Sequence, residues 1–181
     1  MMTLVIGGAA SGKSEYAEQL VCSLPGDRVY LATMYPWDEE SKQRIRKHRE
    51  ARAQKGFTTV EQYRSIHRAK IPEHSNVLLE CLTNLTANEL FTEQGVADID
   101  ECASRIVSEI MILAQHCDDL TIVSGEVGSG GIRYEGDTLS YLKALGMINR
   151  RLASKADRVI EVVCGLENEI KGEKKKNETA V

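Results

Sequence analysis

The chain is expected to adopt an α/β fold, a mostly parallel sheet with helices on both faces. Short runs rich in β-branched residues alternate with amphipathic segments of helix length, and the first run passes straight into a glycine-rich turn and a helix. Of the 181 residues 42% are hydrophobic at a net charge of −4, enough to bury a core without disulfides or structural metals. This composition excludes collagen-like and disordered chains. Charges interrupt every apolar run well before the roughly 18 residues that a membrane span requires. Met1 to Ile6 lacks a basic leader and enters glycines directly, which predicts a strand rather than a signal peptide and a cytoplasmic protein. Net acidity argues against a nucleic-acid partner, so any polyanion must be met locally. Five cysteines without a CxxC pair are expected to be buried thiols.

Taken in order, Met2 to Ile6 is a strand ending at Gly7-Gly8, and Lys13 to Cys22 a helix carrying Tyr16, Ala17, Leu20 and Val21 at helical spacing. Arg28 to Thr33 is a second strand. The acidic run after Trp37 opens a helix that extends to about Gln54 and is polar nearly all round. Thr58 to Glu61 is a brief strand and Asn76 to Glu80 a buried one, entered from the loop Pro72 to Ser75. Ile99 to Gln115 is amphipathic through Cys102, Ile106, Val107, Ile110 and Leu113. Leu120 to Ser124 follows as a strand running into glycines. Thr138 to Ser154 is the last helix and Arg158 to Cys164 the last strand. One catalytic domain is expected over 1–171, with a charged, frayed tail over 172–181.

Gly7-Gly8-Ala9-Ala10-Ser11-Gly12-Lys13-Ser14 fits the phosphate-loop pattern G-x-x-x-x-G-K-[ST], between a strand and a helix as that motif requires. Small residues let successive backbone N–H groups curl round a phosphate, and the helix N-terminus adds partial positive charge. Lys13 is placed to reach the outer phosphates and Ser14 to ligate Mg²⁺. The competing reading is a ligand-free glycine turn. The fold expected from this loop is of the P-loop NTPase type.

From Lys42 to Lys55 seven cations face Glu50 alone, a local charge of +6. Such a run is commonly a solvated face. Here Arg44, His48 and Arg52 fall at i, i+4 and i+8 and form one stripe. Flanking cations disfavour protonation of the imidazole, which would make His48 a neutral nucleophile. His67, His74 and His116 lack such company and are expected at the surface or in turns. Glu80 closes its strand at the edge where parallel sheets bind nucleotides. There it can hold Mg²⁺, accept from N1 and N2 of a guanine, or simply open the next helix. Glu126 occupies a similar strand exit.

Taken together, GGAASGKS, YLAT, RIRKHREAR, LLECLTN, the EVGSG loop and the closing strand after NRRLASKADRV resemble the bifunctional adenosylcobinamide kinase / adenosylcobinamide-phosphate guanylyltransferase family over nearly the whole chain. The family pattern R-I-x-x-H, with Arg four residues on and then Thr-x-Glu, falls on Arg44-Ile45, His48, Arg52 and Thr59-Val60-Glu61. The resemblance implies that His48 carries a covalent GMP and that the phosphate loop binds the triphosphate. Ala32, Thr33 and Met34, the run Arg49, Glu50, Ala51 and Arg52, and Glu61 with Glu80 would complete the nucleotide pocket. It further implies GTP and ATP as substrates with Mg²⁺, adenosylcobinamide and its phosphate as acceptors, and a homo-oligomer, trimeric by extrapolation. The chain departs from the family pattern where Gly125 replaces an Asn, Arg133-Tyr134 a Val-Pro, and Tyr141-Leu142-Lys143 a Phe-Arg-Asp. Alternatives are a P-loop small-molecule kinase or single-activity relative without the covalent intermediate, and a nucleotide-binding protein without catalysis.

Overall fold

The computed structural model describes residues 1–36, 39–128 and 133–172, and within these the side chains of Glu40, Ser41, Arg44, Lys47, His48 and Ala51 are outside the described set. The expectations for Trp37, for Asp38 and for the tail from 173 onward fall outside the described residues.

The strands follow the β-branched runs: β1 Met2–Ile6, β2 Arg28–Ala32, β3 Phe57–Glu61, β4 Asn76–Glu80, a small hairpin of β5 Phe91–Thr92 and β6 Gly95–Val96, then β7 Asp119–Val123, β8 Arg158–Val163 and β9 Leu166–Lys171. The helices are α1 Lys13–Cys22, α2 Glu39–Ala53, α3 Leu82–Leu90, α4 Ile99–Gln115 and α5 Gly136–Lys155. Asp98 caps α4, its side chain accepting from the Glu101 N–H at 2.9 Å, with two acids in the first turn suiting the helix dipole.

Seven strands form one sheet in the order β3-β2-β4-β7-β1-β8-β9, all parallel except β9. Alternation along each strand sends side chains to two cores. On one face Met2, Leu4, Leu31, Leu79 and Ile122 pack under α3, α4 and α5 through Leu85, Ile106, Ile110, Ile148 and Leu152. On the other, Val5, Tyr30, Leu78, Val123 and Val162 pack against Ala17 and Val21 of α1. The parallel register aligns Ala32 with Glu61 and Glu80, and Glu80 with Val123, so these strand exits share one edge. That edge carries the chemistry in sheets of this type. Among the described residues no helix is long and apolar enough to cross a membrane.

Three expectations change. The segment after Phe57 is a full five-residue strand paired along the length of β2. Arg158–Val163 is not the last strand, because β9 returns antiparallel through Cys164-Gly165, both left-handed at φ 52° and 78°, the two-residue geometry that hairpins favour. Every residue of β9 is exposed, so no buried face announces it in the sequence. The cysteines are not uniformly buried: Cys102 is, Cys22, Cys81 and Cys117 are partly so, and Cys164 is exposed on the hairpin turn. As expected, His74 and His116 lie in surface turns and His67 is exposed, its ring 3.3 Å from the buried Glu109.

Ile106 is fully buried between α4 and the sheet. Ile106→Ala is expected to destabilise the fold by about 2–5 kcal/mol, read as a lower urea midpoint at unchanged slope. A thiol reagent added to the native protein is expected to modify Cys164 first and to leave Cys102 unmodified until unfolding, as peptide mapping would show.

Candidate nucleotide site

The phosphate loop leaves β1 and turns into α1 at Gly12, whose φ of 90° is left-handed and whose Cβ, were there one, would lie 3.2 Å from Gly165 Cα. A side chain there is opposed both by the backbone and by the hairpin turn behind it. The turn braces the loop directly, since Gly165 N–H donates to the Ser11 carbonyl at 2.8 Å. From the other side the Glu126 N–H donates to the Gly7 carbonyl at 3.0 Å. Lys13 Nζ donates to the Gly8 carbonyl at 3.0 Å, which keeps its charge over the loop.

At the mouth of the loop Ser14 Oγ donates to Glu80 Oε1 at 2.5 Å, joining α1 to the exit of β4 two strands away. Four buried side-chain polar atoms lack a hydrogen-bond partner among the described residues, and two of them, Glu80 Oε2 and Ser11 Oγ, belong to this region. Unsatisfied buried oxygens can be met by a bound water, ligand or ion. A hydroxyl and a carboxylate are the hard donors that Mg²⁺ takes, with water and phosphate completing its octahedron. The described residues contain no cluster of three or more His, Cys, Asp or Glu able to hold a metal without such help.

Beside Glu80 lies a cavity of about 140 Å³ lined by Tyr30, Ala32, Met34, Ile45, Arg49, Arg52, Thr59, Glu80, Cys81 and Asn84. Five of the sequence-predicted residues, Ala32, Met34, Arg49, Arg52 and Glu80, thus meet in one place. Three more are placed differently. Thr33 is fully buried, and its hydroxyl accepts from Cys81 N–H and donates to the Cys81 carbonyl, both at 2.8 Å, so it fixes the turn after Glu80. Glu61 stands near the rim, accepting from the Tyr63 hydroxyl at 2.7 Å and facing Arg49 at 3.8 Å. Glu50 is exposed and is not among the lining residues. His48 lies on α2 one turn after Ile45 and one turn before Arg52, and its side chain, with those of Arg44 and Ala51, is outside the described set.

The cations of the stretch from Lys42 to Lys55 are less solitary than their spacing predicts. Arg52 stacks 3.4 Å above the Tyr30 ring and reaches Glu18 of α1 at 3.3 Å, and Lys55 reaches the other oxygen of Glu18 at 2.5 Å. Lys42 pairs with Glu39 at 2.6 Å. The hydrogen bond to Glu18 raises the Lys55 pKa and keeps that ammonium charged. Burial raises the Tyr30 phenol far above its ordinary value, and the neighbouring Glu80 charge adds to this. Tyr30, Cys81 and Asn84 carry no signal of this role: Tyr30 reads as one more core position of an alternating strand, and Cys81 and Asn84 follow from a helix that begins immediately after β4.

A glycine cradle that opens a helix, with a carboxylate held on its serine and a cationic helix across a cavity, defines a nucleotide-binding transferase of the P-loop NTPase type. The family model described as cobinamide kinase / cobinamide phosphate guanyltransferase matches residues 3–170, and the chain belongs to that family. It is accordingly a kinase and nucleotidyltransferase of cobalamin biosynthesis. The chain is 35% identical over 186 residues to the bifunctional adenosylcobalamin biosynthesis protein CobU of Escherichia coli (strain K12), covering 94% of this chain and 100% of that one. It is 34% identical to CobU of Salmonella typhimurium over 94% and 100% of the two chains. Against the bifunctional CobP of Pseudomonas aeruginosa it is 28% identical over 96% and 99%. Among solved structures, the flagellar accessory protein FlaH of Methanocaldococcus jannaschii aligns with a TM-score of 0.48 and 11% identity over 94% of this chain and 78% of that one.

Two of the departures from the family pattern, Gly125 and Tyr141, meet at Thr83. A Cβ on Gly125 would lie 2.8 Å from the Thr83 methyl, and the Tyr141 hydroxyl donates to the Thr83 carbonyl at 3.2 Å. An Asn at 125 would collide with Thr83 unless that side chain moved. Arg133 and Tyr134 are described without contacts that explain their substitution.

Glu18 is the common partner of Arg52 and Lys55, and its side chain and that of Arg52 are only 14% and 13% exposed. Glu18→Gln is expected to cost about 1–3 kcal/mol in urea unfolding, because it leaves two cations without their anion. Glu39→Gln, at an exposed pair, should change the midpoint far less.

Proposed function

We propose that the phosphate loop serves both reactions of the family, and that guanylyl transfer passes through a covalent intermediate on His48. The observation that carries this reading is the Ser14–Glu80 hydrogen bond, which joins the triphosphate cradle to the cavity lined by Arg49 and Arg52 on the helix that bears His48.

In guanylyl transfer a ring nitrogen of His48 attacks the α-phosphorus of GTP. An N–P bond forms, the bond from that phosphorus to the bridging oxygen breaks, and pyrophosphate leaves. A phosphate oxygen of adenosylcobinamide phosphate then attacks the same phosphorus. The N–P bond breaks, a phosphoanhydride forms, and adenosylcobinamide-GDP departs with His48 restored. In the kinase reaction the cobinamide hydroxyl attacks the γ-phosphorus of ATP or GTP, the nucleoside diphosphate leaves and the hydroxyl proton is released. Lys13 and the backbone N–H groups of Gly8 to Ser14 bind the phosphates, and Arg49 and Arg52 set positive charge on the opposite wall. Arg52 exchanges part of its bonding to Glu18 for the nucleotide. Mg²⁺ held by Ser14 and Glu80 would supply neutralisation of the phosphate charge. The bond to Ser14 favours this role of Glu80 over contact with the guanine edge. The same reading takes 1–171 as one catalytic unit with a charged tail, in a cytoplasmic homo-oligomer, a trimer by extrapolation from the family.

GTP labelled at the α-phosphorus is expected to leave an acid-labile, base-stable label on the wild-type protein, lost in His48→Ala and chased off by cobinamide phosphate. Transfer from the γ-position without any α-label would replace the covalent route with a simple kinase. Glu80→Gln is expected to raise the Mg²⁺ concentration for half-maximal nucleotide binding about tenfold or more, measured by titration at fixed nucleotide. An unchanged Mg²⁺ requirement would remove Glu80 from the cation site.

A further inference from the structure

Next to the nucleotide cavity lies a second, larger hollow of about 830 Å³ that the nucleotide reading leaves unused, formed by Tyr35, Asn88, Phe91 and the hairpin residues around Gln94. We propose that this hollow is the acceptor site, holding the flat, amide-fringed macrocycle of cobinamide beside the nucleotide. The inference rests on the acceptor assigned above and adds where that acceptor sits.

Adjacency is the first support. Consecutive residues divide between the two spaces, Met34 lining the nucleotide cavity and Tyr35 the hollow. On α3 the same division recurs one turn apart, with Asn84 in the first and Asn88 in the second, about 6 Å along the helix axis. The two spaces are therefore neighbours, and direct transfer of a phosphoryl or guanylyl group requires the acceptor oxygen to reach across their shared rim to within about 3–3.5 Å of the phosphorus.

Chemistry is the second. The hollow presents unusually exposed aromatic surface: Tyr35 is 43% exposed and Phe91 37%. The Tyr35 ring packs edge-on to Tyr63 with centroids 5.0 Å apart, which fixes its plane. Flat apolar rings suit stacking against a planar macrocycle. Around them Arg64, Glu93 and Gln94 offer donors and acceptors for peripheral carboxamides. The volume lies within the roughly 300–1,000 Å³ of small-molecule sites.

Rigidity is the third. Asn88 is nearly buried and donates to the Thr33 carbonyl at 2.8 Å and the Tyr63 carbonyl at 2.9 Å, tying the floor of the hollow to the turn behind Glu80. Arg64 donates to the Phe91 carbonyl at 2.9 Å, and Thr92 Oγ1 to the Gly95 carbonyl at 2.9 Å, so wall and hairpin are set before a ligand arrives.

The test uses the full-length protein with adenosylcobinamide as probe. Phe91→Ala and the surface change Gln94→Ala are each expected to raise the KM for adenosylcobinamide, Phe91→Ala by about tenfold, with GTP affinity, α-label incorporation and melting temperature unchanged. Wild-type KM values in both variants overturn the site. So does a raised KM in Tyr141→Phe with none in the Phe91 variant, which would move the acceptor to α5. A wild-type protein that incorporates the α-label yet never turns over cobinamide refutes the proposed function, and this site with it. Turnover with normal KM in the variants refutes the site alone.

Discussion

A serine hydroxyl held on a carboxylate two strands away sets the geometry of the whole catalytic edge. Ser14 belongs to the first turn of α1, so its position depends on where the phosphate loop ends. Glu80 belongs to the last residue of β4, so its position depends on the sheet. Bonded together they fix the distance between cradle and cavity. The turn beyond Glu80 is held by a buried threonine that both donates to and accepts from the backbone of Cys81. The carboxylate is therefore supported from beneath, as the cation role proposed for it requires.

Around this centre the charges form a closed circuit. Arg52 lies on the Tyr30 ring, Tyr30 lies by Glu80, Glu80 accepts from Ser14, and the helix that carries Ser14 also carries Glu18, the partner of Arg52. The C-terminal end of the cationic stretch from Lys42 to Lys55 is thus met by an acid far away in sequence, Glu18, and Arg49 faces Glu61. Arginine rather than lysine suits the central position, since one planar group can stack and hydrogen-bond at once.

Much of this was legible from residues alone. β1, α1, β4 and α4 fall on their expected bounds because each has strong periodicity and a clear stop, and the G-x-x-x-x-G-K-S motif and Glu80 are the two features that the structure joins by a hydrogen bond. What escaped has physical reasons. β9 buries nothing, so alternation of Leu166, Asn168 and Ile170 with charged residues looks like a surface. The β5–β6 hairpin is two residues a side, below the length at which a pattern exists. Glu18 looks like an ordinary solvent-facing residue of α1 until the fold delivers Arg52 and Lys55 to it. Glu18 and Glu61 could not be counted from α2 itself, because the count runs along the chain whereas compensation is spatial.

The hairpin turn at Cys164-Gly165 that backs the phosphate loop has a consequence for biogenesis. The cradle is encoded in residues 7–14, yet its rear support comes from residues more than 150 positions later, and its parent strand β1 is flanked by β7 and β8. Such pairings close very large loops and form slowly. A nascent chain therefore carries the recognisable glycine motif well before its brace has been made, and the loop gains its rear support only when the Cys164-Gly165 turn folds back onto it.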